Sequence, residues 1–433
     1  MPSEQVPLRN RTSSLASIVG ENAFYPWENL APPQQESILQ AIASQIPPSC
    51  IVYPETTEQL PQVIREANSN KWRVLPCGSG SKLSWGGLVK GVDVVVSTER
   101  LNQLIDHAVG DLTVTAEAGM KFSELQGILA KANQFLALDP VTPSATLGGI
   151  VATADTGSLR QRYGSVRDQL LGITFVRADG QVAKAGGRVV KNVAGYDLMK
   201  LFTGSYGTLG VISQVTFRVY PIPEISATVV LTGKAEDVRQ AAAILRNSAL
   251  TPTQADLISN QLVSELGLGT GMGLIVRFQS IAESVEEQSN RLAEVGQNLG
   301  LQKAIYAGAD EADLWKRLRE SIYFAGDESA IICKIGVLPT AAVEVLTRAQ
   351  KGLIHMGSGL GMLRFEGEKG LVEMRSLCEN HRGFLSVLTA PVGVKQRLDV
   401  WGYTGNAGEM MRRIKLQFDE KGILSPGRFV GGL

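Results

Sequence analysis

Hydrophobic and polar positions along this chain follow two periods, and the switches between them mark out its elements. Residues 33–45 place Ile38, Leu39, Ile42 and Ala43 on one face, which predicts a helix ended by Pro47-Pro48. A short apolar run at 50–53 reads as a strand, followed by a helix start at 54–58 with Thr56 or Thr57 as its cap and 60–67 as its apolar face. Residues 72–76 read as another strand, running straight into Gly78-Ser79-Gly80-Ser81. From there to Pro223, Val/Ile/Thr-rich runs at 92–97, 112–116, 173–177 and 211–220 alternate with glycine turns. Pro221 and Pro223 mark a boundary. Beyond it, strands at 227–231, 273–279, 331–335, 361–365 and 383–388 alternate with helices at 235–247, 281–299 and 340–351. This predicts a second, smaller sheet covered by helices. Residues 410–418 form a basic amphipathic helix that stops at Gly422, before Ser425-Pro426-Gly427-Arg428. The fold class is α+β, in four parts: a helical arm (1–45), a first domain (46–224), a second domain (225–400) and a tail (401–433) returning to the first. There is no internal repeat and no low-complexity block.

The 433 residues, 44% of them hydrophobic, suffice for a large core. Acidic and basic side chains balance at 42 each with no polybasic tract, which removes nucleic acid from the expected partners. Residues 1–33 lack the apolar centre of a signal peptide, and no run is long enough to span a membrane. The expectation is a cytoplasmic protein without a membrane span, peripheral contact through a partner staying open. Cys50, Cys77, Cys333 and Cys378 lie far apart, which argues against a disulfide framework, a zinc site and an iron–sulfur cluster.

Three segments carry chemistry. In Pro76-Cys77-Gly78-Ser79-Gly80-Ser81-Lys82, small residues after a strand let consecutive backbone N–H groups turn toward one point, a nest suited to a diphosphate. It matches neither the dinucleotide fingerprint of a Rossmann unit nor a Walker loop, and a plain turn is at least as good an account of it alone. The second, Pro140-Val141-Thr142-Pro143-Ser144-Ala145-Thr146, leads through Leu147 to Gly148 and Gly149, and Thr153-Ala154-Asp155-Thr156-Gly157 extends it. Its hydroxyls and paired glycines permit close approach to a ring or ribityl chain. The third runs from Gly186-Gly187 through Lys191, Tyr196 and Asp197 into Tyr206-Gly207-Thr208-Leu209-Gly210-Val211-Ile212, where glycine density before an apolar strand suggests backbone packed on a ligand.

In this order the segments resemble the FAD-binding fold of the vanillyl-alcohol oxidase and p-cresol methylhydroxylase (PCMH) superfamily, over roughly residues 50–223. Within it the chain is similar to the glycolate oxidase and D-lactate dehydrogenase branch, and its closing stretch around Gly422-Ile423-Leu424-Ser425-Pro426-Gly427-Arg428-Phe429 is similar to the end of glycolate oxidase E subunits. The resemblance implies a two-part PCMH-type FAD-binding domain and an α+β cap domain. Residues 76–82 would hold the FAD pyrophosphate, 140–146 and 153–156 the flavin and ribityl part, and 206–212 the dinucleotide through backbone. Some members tether flavin to a first-loop histidine; this loop has none, so FAD is expected to be noncovalent. Catalytic relatives carry His-x-Gly-Asp-Gly-Asn-x-His and a later Gly-Glu-His-Gly, which supply metal ligands and a base. The corresponding stretch here is His355-Met356-Gly357-Ser358-Gly359-Leu360-Gly361-Met362, and no Gly-Glu-His-Gly follows. One imidazole does not make a divalent metal site, so no metal is expected.

The remaining polar residues have simple structural accounts. His355 reads as a strand-turn surface histidine, His381 as a turn residue, and Lys191, Tyr196 and Asp197 as loop ties. Arg277 reads as a solvent-facing strand residue, with carboxylate binding as the alternative. Met411, Ile414 and Phe418 read as a packing face. No catalytic residue is assigned. The functional expectation is an FAD-binding subunit of a glycolate oxidase-type complex acting on small 2-hydroxy acids, beside a homologous catalytic flavoprotein subunit and an iron–sulfur subunit that receives electrons. The alternatives are a stand-alone, metal-independent FAD dehydrogenase of another hydroxy acid or alcohol, and a structural flavoprotein subunit that does not turn over.

Overall fold

The computed structural model describes residues 13–44, 46–188, 195–324 and 329–433. Strands β1 (Phe24–Pro26), β2 (Cys50–Val52), β3 (Val74–Cys77) and β4 (Val94–Ser97) form a sheet in the order β1-β2-β4-β3. β4 pairs in parallel with both β2 and β3. The Cys-Ile-Val and Val-Val-Val-Ser runs are buried throughout, as strands covered on both faces require. The crossover is the helix Gln59–Asn70, which buries Leu60, Val63, Ile64 and Ala67. The helix starts at Gln59, after the predicted 54–58, with Glu58 rather than Thr56 or Thr57 at the cap position and no side-chain capping bond; Thr56 accepts the Gln59 N–H at 3.3 Å.

The arm differs from expectation. Its helix is Pro32–Leu39, and Ile42 instead bridges to Val89. Backbone bonds from Ala43 N to Val89 O and from Val89 N to Ala41 O, both 2.9 Å, divert the chain before Pro47 could end anything. Gln45 and residues 1–12 lie outside the described residues.

β5 (Leu104–Ala108) and β6 (Thr113–Glu117) begin an antiparallel sheet. After β7 (Gln134–Phe135), which pairs with the later β11 (Tyr220–Pro221), it is completed by β8 (Leu170–Val176), β9 (Val182–Gly186) and β10 (Val211–Arg218) in the order β5-β6-β10-β8-β9. Phe175, Phe202 and Phe217 fill its core. The helix Gly408–Phe418 docks there, Phe418 lying 5.6 Å from the Phe202 ring and 6.0 Å from that of Phe175. The chain end then pairs with β3: Val74 N bonds Ile423 O at 2.8 Å and Ser425 N bonds Val74 O at 2.9 Å.

The second half is an eight-stranded antiparallel sheet of β12 (Ile225–Gly233), β13 (Gln254–Ile258), β14 (Met272–Ser280), β15 (Gln302–Ala307), β16 (Ile331–Gly336), β17 (Lys351–His355), β18 (Leu360–Phe365) and β19 (Phe384–Thr389), in the order β15-β12-β14-β13-β17-β18-β16-β19. It is larger than the first-half sheets, not smaller as the pattern suggested. β13, β15 and β17 carry polar residues inside strands, which hid them, and the helix predicted over 340–351 is Ala342–Arg348, Lys351 already belonging to β17. One face packs under helices Ala235–Asn247, Ala282–Asn298, Ala342–Arg348 and Leu371–Asn380. The other carries Val230, Ile258, Ile275, Ile332, Leu353, Met362 and Leu388, packed with Trp85 and Val141 of the first half. Strand alternation puts Asp256, Lys334 and His355 on this second face. Among the described residues no helix is long and apolar enough to cross a membrane.

Candidate functional site

A glycine-walled cleft lies in the first half, with about 670 Å³ of open space. Its walls include residues 76–83 from the loop after β3, Thr146, Gly148, Gly149, Ala152 and Thr153 from the second segment, Tyr206, Gly207 and 210–212 from the third, and Arg428 from the tail. The loop after β3 needs its glycines. A Cβ at Gly78 would fall 1.9 Å from Thr146 Oγ1, and Gly80 sits at φ 80°. The backbone N–H groups of Ser79, Gly80, Ser81 and Lys82 find no acceptor among the described residues, as an anion-binding nest requires.

Buried charges fix the walls to one another. Lys82 pairs with Asp155 at 2.8 Å, both side chains at most 5% exposed, and Asp155 also accepts the Val141 N–H at 3.2 Å. Lys82 is therefore neutralised within the protein, and Asp155 ties the first segment to the second. Tyr206, at φ 54°, packs on Trp401 with ring centroids 5.0 Å apart, and its N–H bonds Ala152 O at 2.8 Å. Burial pushes the Cys77 thiol up to about 12, so it stays protonated. Pro140, Val141, Thr142, Pro143, Ser144, Ala145, Ala154, Asp155, Thr156, Gly157, Thr208 and Leu209 do not line the cleft. Thr208, for instance, gives its hydroxyl to Ser205 O at 2.7 Å.

A second polar cluster, which sequence reasoning missed, lies where the eight-stranded sheet meets the first half. His355 is buried, not on a surface: its Nδ1 lies 2.7 Å from Asp256 Oδ1, and the Ser158 hydroxyl donates to Asp256 Oδ2. His355 Nε2 makes no hydrogen bond among the described residues. Asp139 accepts the N–H groups of Gly157 and Leu159, each at 2.9 Å. Burial nevertheless pushes its carboxyl up to about 6, against those donors and the nearby His355. Arg160 lies within electrostatic reach of Asp139, Asp168, Asp256 and Tyr323, and burial lowers its pKa; its buried Nε has no partner. Lys334, drawn down to about 8 by burial and by Arg160, makes no ion pair among the described residues. Burial and the carboxylates of Asp155, Asp139 and Asp256 hold the Tyr323 hydroxyl protonated. The only sequence signal for this cluster was charge on strand positions that should be apolar: Asp256 in Gln-Ala-Asp-Leu-Ile and Lys334 in Ile-Ile-Cys-Lys-Ile-Gly.

Arg277, read as solvent-facing, instead pairs with Glu311 at 3.0 Å, a carboxylate that also accepts Thr228 Oγ1 at 2.6 Å and the Ser226 hydroxyl. His381 ends the helix Leu371–Asn380 and lies 3.2 Å from Glu344. Tyr196 is 89% exposed and Asp197 pairs with Lys200 at 2.8 Å, so neither reaches the cleft. Lys191 lies outside the described residues.

Residues 48–186 match the FAD binding domain family. The whole fold is similar to that of p-cresol methylhydroxylase, whose substrate-bound crystal structure superposes with a TM-score of 0.75 over 97% of this chain and 96% of that one, at 15% identity. The fold is thus a PCMH-type FAD-binding fold, α+β throughout, and its cofactor is FAD. Among curated proteins, the mitochondrial D-lactate dehydrogenase [cytochrome] of Arabidopsis thaliana is 26% identical over 88% of this chain and 73% of its own length. Glycolate oxidase subunit GlcD of Bacillus subtilis is 29% identical over 42% of this chain and 39% of its own length. The protein is an FAD-dependent oxidoreductase.

Proposed function

We propose that the protein oxidises a small 2-hydroxy acid with FAD held noncovalently in the first-half cleft, as the flavin-bearing subunit of a glycolate oxidase-type complex that delivers electrons to a partner. The open N–H groups of residues 79–82 would take the diphosphate, the wall of residues 146–153 the flavin and ribityl chain, and residues 206–212 the rest through backbone. Bound FAD supplies the two-electron acceptor. Every other task falls to the chain.

One observation carries the reading: a histidine oriented by a carboxylate on the sheet face that packs against the cofactor half, near Arg160 and Lys334, neither of which makes an ion pair among the described residues. Arg160 and Lys334 would bind the substrate carboxylate. His355 Nε2 would take the hydroxyl proton, Asp256 fixing the tautomer by accepting Nδ1–H. Packing of Trp85, Val141 and Tyr206 against the sheet would exclude water.

The likeness to GlcD supports membership of a complex, with a homologous catalytic flavoprotein and an iron–sulfur subunit as the proposed partners. The intact histidine cluster favours a second reading, turnover by this chain alone without metal. A dye-coupled assay with glycolate and D-lactate on flavin-loaded protein separates the two. Activity only after addition of the partner subunits supports the complex, activity of the chain alone supports the second reading, and no turnover in either setting removes both.

A further inference from the structure

The cleft has one wall that comes from the far end of the chain. Arg428 is 4% exposed, yet it lines the cleft beside residues 80–83. Its Nη2 donates to the carbonyls of Leu83 at 2.7 Å and Trp85 at 3.1 Å. Its Nε is buried without a partner, and Nη1 makes no hydrogen bond among the described residues. No carboxylate among the described residues pairs with it, whereas Lys82 in the same wall is cancelled by Asp155. A guanidinium this deeply buried without an anion is costly. Burial draws its pKa down to about 10, the expected direction for a cation lacking a counter-ion.

We propose that Arg428 is a ligand of bound FAD, its open guanidinium edge donating to a diphosphate oxygen, so that the C-terminal tail closes the cofactor site. The tail is built to deliver it. Leu424 and Ser425 pair with β3, the strand that feeds the loop of residues 76–82, and Lys415 donates to the carbonyls of Thr208 at 2.7 Å and Leu424 at 2.8 Å. One lysine thereby ties the tail to the third segment. Arginine suits a diphosphate because its planar fork meets two oxygens at once. Its charge and its open N–H groups both suit an anion.

The proposal rests on the cleft as the FAD site, so the test includes a variant for each. Apoprotein is titrated with FAD at several salt concentrations, folding being checked by apoprotein melting. Arg428→Gln should weaken FAD binding about 10- to 100-fold, the worth of one charge-assisted hydrogen bond, and should flatten the salt dependence of the affinity. Lys395→Met loosens the same loop from the other side, since Lys395 donates to the Ser84, Gly86 and Leu388 carbonyls. It should lower affinity while keeping the wild-type salt slope. If Arg428→Gln does not fold, Arg428→Lys carries the test, and a salt slope matching wild type is expected. A folded Arg428→Gln that binds FAD within two-fold of wild type, or binds it more weakly with the salt slope unchanged, overturns the proposal, as does a flattened slope in Arg428→Lys. Gly78→Val, which drives a side chain into Thr146, should abolish binding; if it binds FAD normally, the cleft reading itself falls.

Discussion

At the scale of single residues, the two halves of the chemistry are held very differently. On the proposed reading, the glycine segments would meet the cofactor mainly through backbone, where small side chains matter, whereas His355, Arg160 and Lys334 would meet substrate through their side chains. His355→Gln should therefore leave FAD content unchanged while slowing anaerobic bleaching of the flavin by substrate about 10²- to 10⁴-fold, the usual worth of a general base. Stopped-flow absorbance reads this directly, and bleaching at the wild-type rate would remove His355 from the reaction. Asp139 makes a separate prediction about stability. Its carboxyl rises from 3.8 to about 6 on folding, so between those values the folded chain holds more protons than the unfolded one. Its contribution is fully present below about pH 3.8, fades as pH rises and is gone above about pH 6, a span worth about 3 kcal/mol. Urea midpoints measured from pH 4 to 7 should show this slope, and Asp139→Asn should flatten it.

At the scale of elements, the tail is the clearest case of a segment whose role depends on what it meets. Its amphipathic period was legible: Ile414 and Phe418 do pack on the first-half core. The buried Lys415 among them was not, because a lysine in such a helix reads as solvated until its acceptors are known. Its ammonium satisfies Asp419 at 2.6 Å as well as two carbonyls, with Asp419 fully buried. Lys415→Met leaves that buried carboxylate without its counter-ion, held only by the Ile423 and Leu424 N–H groups, so a loss of about 3 kcal/mol in denaturant unfolding is expected; a loss under about 1 kcal/mol would show that the tail is not anchored by this pair. The strands of the second half were legible where apolar residues predominate, as in β14 and in β16 despite its Lys334. They were lost where polar residues take much of a five-residue strand: Gln254 and Asp256 in β13, Lys351 and His355 in β17 leave too short an apolar run to read.

At the scale of the whole molecule, the cleft is assembled from segments up to 350 residues apart, residues 76–83 near the start and Arg428 near the end. A ligand bound across such a joint stabilises the fold by mass action. FAD added to the apoprotein at about 100 times its Kd should raise stability by about 2.7 kcal/mol, seen as a higher melting temperature. An unchanged melting temperature under saturating FAD would show that the folded chain does not bind FAD in preference to the unfolded one. The sequence alone determined the glycine-bearing loops and the α+β class, because backbone approach and strand burial write themselves into local composition; the FAD-type fold came from the resemblance that the three segments carry in their order. The partners of Lys82, Asp256, His355, Lys415 and Arg428 were decided only by the tertiary structure. A charge carries no mark in the sequence of whether it faces water, a counter-ion or a cofactor, and that depends on which distant strand or loop the fold lays against it.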